Sequence, residues 1–293
     1  MTRWIDLHSH SVASDGTDTA ADIVNKAAQI GLSALSLTDH DTTSAIAEAT
    51  AAGAAHGVEI IPGIEISARF DTSGTLHILG YFINPLDNAL QKGLEEYRAA
   101  RNLRNPKIVE KLRACGLDIT YDEVVAEAKG GVVGRPHIAL VLHKRGYVRS
   151  IDEAFGKYLT RGARAYVEKD SFPPEHAIDL IRSAGGVAVL AHPTFLYLKN
   201  SKEEKFFERL AQAGLGGVET YYSSHTEEDT RHYEALAKRY SLATTGGSDF
   251  HGKNKPDIQL GFGFGKLRVP YEVLDSLRAK IPPHPALPRK GGA

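Results

Sequence analysis

Trp4-Ile5-Asp6-Leu7-His8-Ser9-His10 is followed almost at once by Ser14-Asp15-Gly16. Trp4, Ile5 and Leu7 form a short apolar run of strand character, and Asp15-Gly16 ends it with turn chemistry. Side chains on a strand alternate between faces, so His8 and His10 point the same way. Two histidines leaving a strand end, with a carboxylate five residues on, make the start of a metal site. The pair alone equally suits a solvated polar edge. The decision rests on whether the rest of the chain repeats the pattern.

It does. Thr19 and Asp22 form a capping box that opens a helix, with Ile23, Val24 and Ala27 on its apolar face and Gly31 at its end. Ala34 to Thr38 is the next strand, carrying Asp39-His40-Asp41 at its end. A helix from about Ser44 to Ala55 leads to Val58–Ser67, a strand broken by Pro62-Gly63 and holding Glu65. Leu76 to Tyr81 is another strand, with His77 near its start. After residue 165 the rhythm resumes: Val187–Ala191 runs into His192-Pro193, Gly217–Tyr222 follows, and Ala243–Ser248 runs into Asp249-Phe250-His251. Alternating strands and helices predict a parallel α/β architecture.

Between these halves the character changes. Ala89 to Cys115 is helical in pattern and basic, with Arg98, Arg101, Arg104, Lys107, Lys111 and Arg113, which alone suits a solvated face. Thr120/Glu123 and Ser150/Glu153 are further capping boxes, and little in the block reads as strand. The expected organisation is a first α/β part over 1–86, a helical insertion over 87–165, a second α/β part over 166–280, and a disordered Pro- and Gly-rich tail over 281–293.

With 293 residues the chain is long enough for one large α/β domain carrying an insertion. Its net charge of −1 provides no basic field for a long nucleic acid, so a nucleic-acid substrate must be short or held locally. No apolar run approaches the ~20 residues of a membrane span. Met1-Thr2-Arg3 leads straight into the first strand and leaves no room for a signal peptide. The one cysteine, Cys115, excludes an internal disulfide and is expected to be a buried thiol. A reducing, cytoplasmic setting follows. Any metal site must then be built from imidazoles and carboxylates.

Nine such side chains stand at strand ends: His8, His10, Asp15, His40, Glu65, His77, His192, Asp249 and His251. In a β/α barrel the C-terminal strand ends converge on one face, where the active site is built. The set suits two or three borderline divalent ions, Mn²⁺ first and Zn²⁺ or Fe²⁺ as alternatives, with Glu65 as a candidate bridge. His77 alone can be a core histidine, Asp15 a turn residue and Asp249 a helix cap.

Several stretches together resemble the PHP (polymerase and histidinol phosphatase) family. They are Asp6-Leu7-His8-Ser9-His10, Ser14-Asp15-Gly16-Thr17, Leu37-Thr38-Asp39-His40-Asp41-Thr42, Pro62-Gly63-Ile64-Glu65-Ile66-Ser67, His77-Ile78-Leu79-Gly80-Tyr81, Ala191-His192-Pro193 and Gly247-Ser248-Asp249-Phe250-His251. The resemblance implies a distorted (β/α)7 barrel with a trinuclear metal centre. Carried over by motif, His8, His10, Glu65 and Asp249 would hold one ion, and Asp15, His40 and His251 a second. His77 and His192 would hold a third, bridged by Glu65. The insertion and Gly134-Arg135-Pro136-His137-Ile138 resemble the branch of nucleoside 3′,5′-bisphosphate phosphatases, some relatives of which trim short RNA from its 5′ end.

The expected reaction is removal of the 3′-phosphate of adenosine 3′,5′-bisphosphate by in-line attack of a metal-bridging hydroxide. Asp249, His40 and Asp15 are its candidate catalytic residues. No Gly-x-Ser-x-Gly elbow occurs and Cys115 has no nucleophile context, which argues against a covalent route. A second, distant phosphate calls for planar cationic donors, and Arg101, Asn102, Arg104, Asn105, Arg135 and His137 are the candidates, with Lys169, Ser224 and His225 behind them. The expected partner is thus a small phosphorylated nucleotide or short oligonucleotide, with no membrane. Three rivals are a 5′→3′ exonuclease on short RNA, a histidinol-phosphate-type phosphatase, and a non-catalytic metal-binding module.

Overall fold

Strand and helix order follow the sequence closely, but strand direction does not. The computed structural model describes residues 3–70, 74–169 and 172–282, so most of the expected tail over 281–293 lies outside the described residues. The strands are β1 (Trp4–Asp6), β2 (Leu32–Leu35), β3 (Glu59–Ile60), β4 (Gly63–Ser67), β5 (His77–Tyr81), β6 (Val187–Leu190), β7 (Gly217–Tyr222), β8 (Ala243–Gly247) and β9 (Val269–Pro270). They form one sheet in the order β3-β2-β1-β9 and another in the order β4-β5-β6-β7-β8. Pairs β1/β2, β2/β3, β6/β7 and β7/β8 are parallel. Pairs β4/β5, β5/β6 and β1/β9 are antiparallel, which corrects the all-parallel expectation. The cause is local: β4 and β5 are separated by nine residues, 68–76, too few for the crossover that a parallel neighbour requires.

The two sheets touch along their strand ends. Leu7 N donates to Gly246 O (3.1 Å) and Asp249 N to His8 O (2.8 Å). Parallel bridges join Ser9 to Phe250 and His40 to Glu65.

The helices are α1 (Ala20–Gln29), α2 (Ile46–His56), α3 (Asn88–Ala114), α4 (Tyr121–Glu127), α5 (Arg135–Lys144), α6 (Ile151–Ala154), α7 (Pro174–Ser183), α8 (Asn200–Gln212), α9 (Glu227–Arg239) and α10 (Glu272–Arg278). Reciprocal capping boxes form at Thr19/Asp22, Thr120/Glu123 and Thr226/Asp229. At α6, Ser150 caps Glu153 N as expected, but Glu153 reaches back to Arg149 N. Among the described residues no strand lies between β5 and β6; α3 to α7 fill that span. Leu90, Leu94 and Tyr97 of α3 pack with Ile178 and Ile181 of α7, whereas Ile108, Leu112, Ile119, Val124, Ile138 and Leu142 form a separate apolar cluster. Cys115 is exposed, not buried. It caps the end of α3 beside Gly116, whose φ of +83° turns the chain away. No helix among the described residues is long and apolar enough to cross a membrane.

Candidate metal centre

The strand ends bring the nine side chains to one place. His8 and His10 follow β1, Asp15 lies in the turn beyond, and His40 follows β2. Glu65 sits within β4, His192 follows β6, and Asp249 and His251 follow β8. His77 opens β5 rather than closing it, and reaches the same edge because β5 runs against β4 and β6. Ligand-competent atoms lie within 4.8 Å of one another in four overlapping groups: His10, Asp15, His40 and His251; His8, His10 and Asp249; His8, Glu65 and His192; His40, Glu65 and His77.

Glu65 is the shared member. Its Oε1 lies 2.8 Å from His77 Nδ1 and 3.1 Å from His192 Nε2, and its Oε2 lies 3.4 Å from His10 Nε2 and 2.9 Å from His40 Nδ1. Asp249 Oδ1 is 3.5 Å from His8 Nε2 and 3.3 Å from His10 Nε2. Asp15 faces His251 Nε2 at 3.3 Å and His40 Nε2 at 3.7 Å.

Two backing contacts aim these rings. His8 Nδ1 bonds Glu219 Oε1 (2.8 Å), which turns His8 Nε2 to the centre, and Glu219 Oε2 accepts from His192 N (2.7 Å). His251 Nδ1 lies 2.8 Å from Asp249 O and leaves Nε2 facing Asp15. Gly247 lets β8 pass: a Cβ there would lie 2.3 Å from His8 N. Asp41 (φ +54°), His192 (φ +25°) and Asp249 (φ +59°) adopt the left-handed region, conformations that cost free energy in non-glycine residues and concentrate at functional sites.

Among the described residues, His8 Nε2, both ring nitrogens of His10, His40 Nδ1 and His192 Nδ1 are buried without a hydrogen bond. Unsatisfied buried nitrogens are costly, and those of His8, His10 and His40 face Glu65, Asp249 and Asp15. Nitrogen and oxygen donors without thiolate fit borderline divalent ions. Burial opposes ionisation of Glu65, yet His77, His40 and His8 hold its carboxyl well below the usual range. Burial likewise opposes Asp249, which Lys255, His251 and His8 hold low. Burial pushes His77 down to about 4 against the pull of Glu65, leaving a neutral imidazole with a lone pair to give.

The expected phosphate-binding residues divide. Arg101 is buried, with Nε on Asp41 Oδ2 (2.6 Å) and its other arm on Ser67 Oγ (2.8 Å). Arg104 is buried with its guanidinium on Asn105 Oδ1 (2.7 Å), and Asn105 donates to Val133 O (2.9 Å). Arg135 donates to Leu159 O (3.1 Å) and lies over the Phe155 ring. His137 Nδ1 accepts from Gly134 N (3.0 Å) and caps α5. Asn102 lies on the exposed face of α3. Lys169 Nζ donates to Ser67 O (3.0 Å), His225 Nδ1 bonds Thr220 O (2.9 Å), and Ser224 is exposed in the turn after β7. Burial lowers Arg104 to about 9 and Lys169 to about 7, with neighbouring arginines adding to both. A solvated basic face is therefore not what α3 presents at Arg101 and Arg104.

Four residues that serve this site escaped the sequence reading. Glu219 stands inside an apolar strand, where a carboxylate buried on both faces is the available signal. Asp41 stands in the stretch 37–42 beside His40 but was given no role there, and Tyr222 and Lys255 carry no signal, since their roles arise from contacts across the fold.

A family model described as "PHP domain" matches residues 6–240. The chain is 34% identical over 258 residues to a 3′,5′-nucleoside bisphosphate phosphatase of Chromobacterium violaceum, covering 88% of this chain and 90% of the relative. It is 34% identical over 258 residues to a 5′-3′ exoribonuclease of Escherichia coli, covering 87% of each. A Bifidobacterium adolescentis structure, provisionally described as a metal-dependent phosphoesterase, superposes with a TM-score of 0.85 at 30% identity over 96% of this chain and 98% of that one.

Proposed function

The chain belongs to the PHP domain family and is a hydrolase of phosphate esters, and from that premise we propose that it removes the 3′-phosphate of nucleoside 3′,5′-bisphosphates, adenosine 3′,5′-bisphosphate foremost. In this reading β1, β2 and β4 to β8 are the strands of a distorted (β/α)7 barrel, supported by the contacts of β1 with β8 and of His40 with Glu65. Residues 87–165 form a cap between barrel halves 1–86 and 166–280, and the enzyme works in the cytoplasm.

His8, His10, Glu65 and Asp249 would hold one ion, Asp15, His40 and His251 a second, and His77 and His192 a third shared through Glu65. Bound Mn²⁺, or Zn²⁺ or Fe²⁺, supplies activated water and neutralises charge on the phosphoryl oxygens. Asp249, His40 and Asp15 orient the reacting phosphate through that centre. Glu219 keeps His8 and His192 turned inward.

One observation carries the substrate choice. Arg101, Arg104 and Lys169 gather around Asp41, Arg135 joins them with Glu168 as its acidic neighbour, and Arg104 and Arg135 have only neutral oxygens as hydrogen-bond partners among the described residues. Buried cations short of counter-charge favour an anion. Asp41 directly follows His40, so this cluster adjoins the metal-competent one. A substrate with two separated phosphates spans both.

The exonuclease reading keeps the same chemistry and puts a 5′-phosphate on the arginines; the Escherichia coli relative favours it as the second choice. Metal-stripped protein supplied with Mn²⁺ should release phosphate faster from adenosine 3′,5′-bisphosphate than from histidinol phosphate, and faster than it releases mononucleotides from short 5′-phosphorylated RNA. Arg135→Ala should raise KM for the bisphosphate far more than it lowers turnover of a small monophosphate. Preferred trimming of RNA would select the second reading, and no turnover with any divalent ion would leave only a binding module.

A further inference from the structure

The segment Gly252-Lys253-Asn254-Lys255 follows the last of the nine clustered residues and ties together two carboxylate-bearing stretches from opposite ends of the chain. Asn254 Nδ2 donates to Asp15 O (2.8 Å), and Lys253 N donates to Thr17 Oγ1 (2.9 Å). Lys255 Nζ donates to Asp249 Oδ2 at 2.6 Å, and Tyr222 OH donates to the same oxygen at 2.8 Å. Asp249 Oδ1 is left facing His8 and His10. The carboxylate therefore has one oxygen occupied and one presented, on a backbone in the left-handed region at φ +59°.

We propose that Lys255 is a positioning residue for the metal centre: with Tyr222 it pins Asp249 Oδ2, so that Oδ1 alone is offered beside His8 and His10. This rests on the reading of the nine-residue cluster as a metal centre. The two possible effects of the lysine have opposite signs. As a mere nearby cation it repels a divalent ion, and its removal tightens binding. As a positioning group it holds a ligand in place, and its removal weakens binding; partners behind metal ligands are typically worth about 10- to 100-fold in affinity.

The test is Mn²⁺ binding to full-length, metal-stripped protein, with free Mn²⁺ counted by its electron paramagnetic resonance signal. Lys255→Met should weaken binding by about tenfold or more, and Lys255→Arg should restore most of the loss. Tyr222→Phe, which removes the second donor to the same oxygen, should weaken binding in the same direction and combine non-additively with Lys255→Met. Unchanged or tighter Mn²⁺ binding by Lys255→Met overturns the proposal. Should that variant fail to fold, unchanged binding by Tyr222→Phe overturns it instead. Failure of the unmodified protein to bind Mn²⁺ strikes the metal-centre reading itself, before any variant is made, and this proposal with it.

Discussion

Lys169 shows what placement does to a single side chain. Its ammonium donates to Ser67 O and lies 5.5 Å from the centre of the Tyr97 ring. Burial lowers it to about 7, opposed by Asp41 and reinforced by Arg101, Arg104 and Arg135. A lysine depressed in the folded state takes up its proton earlier in the unfolded chain. Its contribution therefore favours folding less and less as pH falls from the ordinary lysine value to about 7, and is constant below. Binding has the opposite sign, because an anion prefers the protonated form. KM for the bisphosphate should thus rise several-fold more between about pH 6 and about pH 8 in the unmodified protein than in Lys169→Met. The substrate's own ionisation is common to both, so identical pH profiles would remove Lys169 from the anion site. At this scale the imidazoles and carboxylates were legible, because each stands beside a recognisable strand end. Glu219 was missed, because its one signal is a lone carboxylate within the buried strand β7 and it stands at no strand end.

Among elements, the seam between α3 and the β2–β4 edge rests on one buried pair. Arg98 donates to Asp41 O, Arg101 to Asp41 Oδ2, and Ser67 N to Asp41 Oδ1. Asp41 is fully buried, and burial works against its charge while Arg101 and Lys169 lower it to about 2. Removing one partner of such a pair costs about 3–5 kcal/mol, because the other charge is left buried. Arg101→Met should therefore lose about that much in urea denaturation, and adding Asp41→Asn should recover a large part of it. A loss below about 1 kcal/mol would mean that water reaches Asp41. Helix starts were legible at Thr19 and Thr120, where the cap and its partner are three residues apart. The direction of β5 lies in the short 68–76 link, which leaves no room for a crossover, and not in the strand's own alternation, which is the same whichever way its neighbours run. That direction nevertheless places His77.

For the molecule as a whole, the centre draws on residues from 8 to 251, so an ion bound there ties together most of the chain. A ligand that binds the folded state alone stabilises it by about 2.7 kcal/mol at one hundred times its Kd. Mn²⁺ at that excess should raise the Tm of metal-stripped protein by several degrees, at roughly 2–4 °C per kcal/mol for a chain of this size. His8→Ala or His192→Ala should shrink the rise. An unmoved Tm would count against a metal centre spanning both sheets. By itself the sequence determined the order of the strands from β1 to β8, the helical character of the middle block and the kinds of donor the centre can use, because these follow from neighbours a few residues apart. Only the tertiary structure decided that β5 lies between β4 and β6, that Arg101 and Arg104 turn inward, and that Glu219, Asp41 and Lys255 stand behind the site. Those outcomes depend on which distant groups meet in the dehydrated interior, where an unpaired charge is costly enough to select its partner.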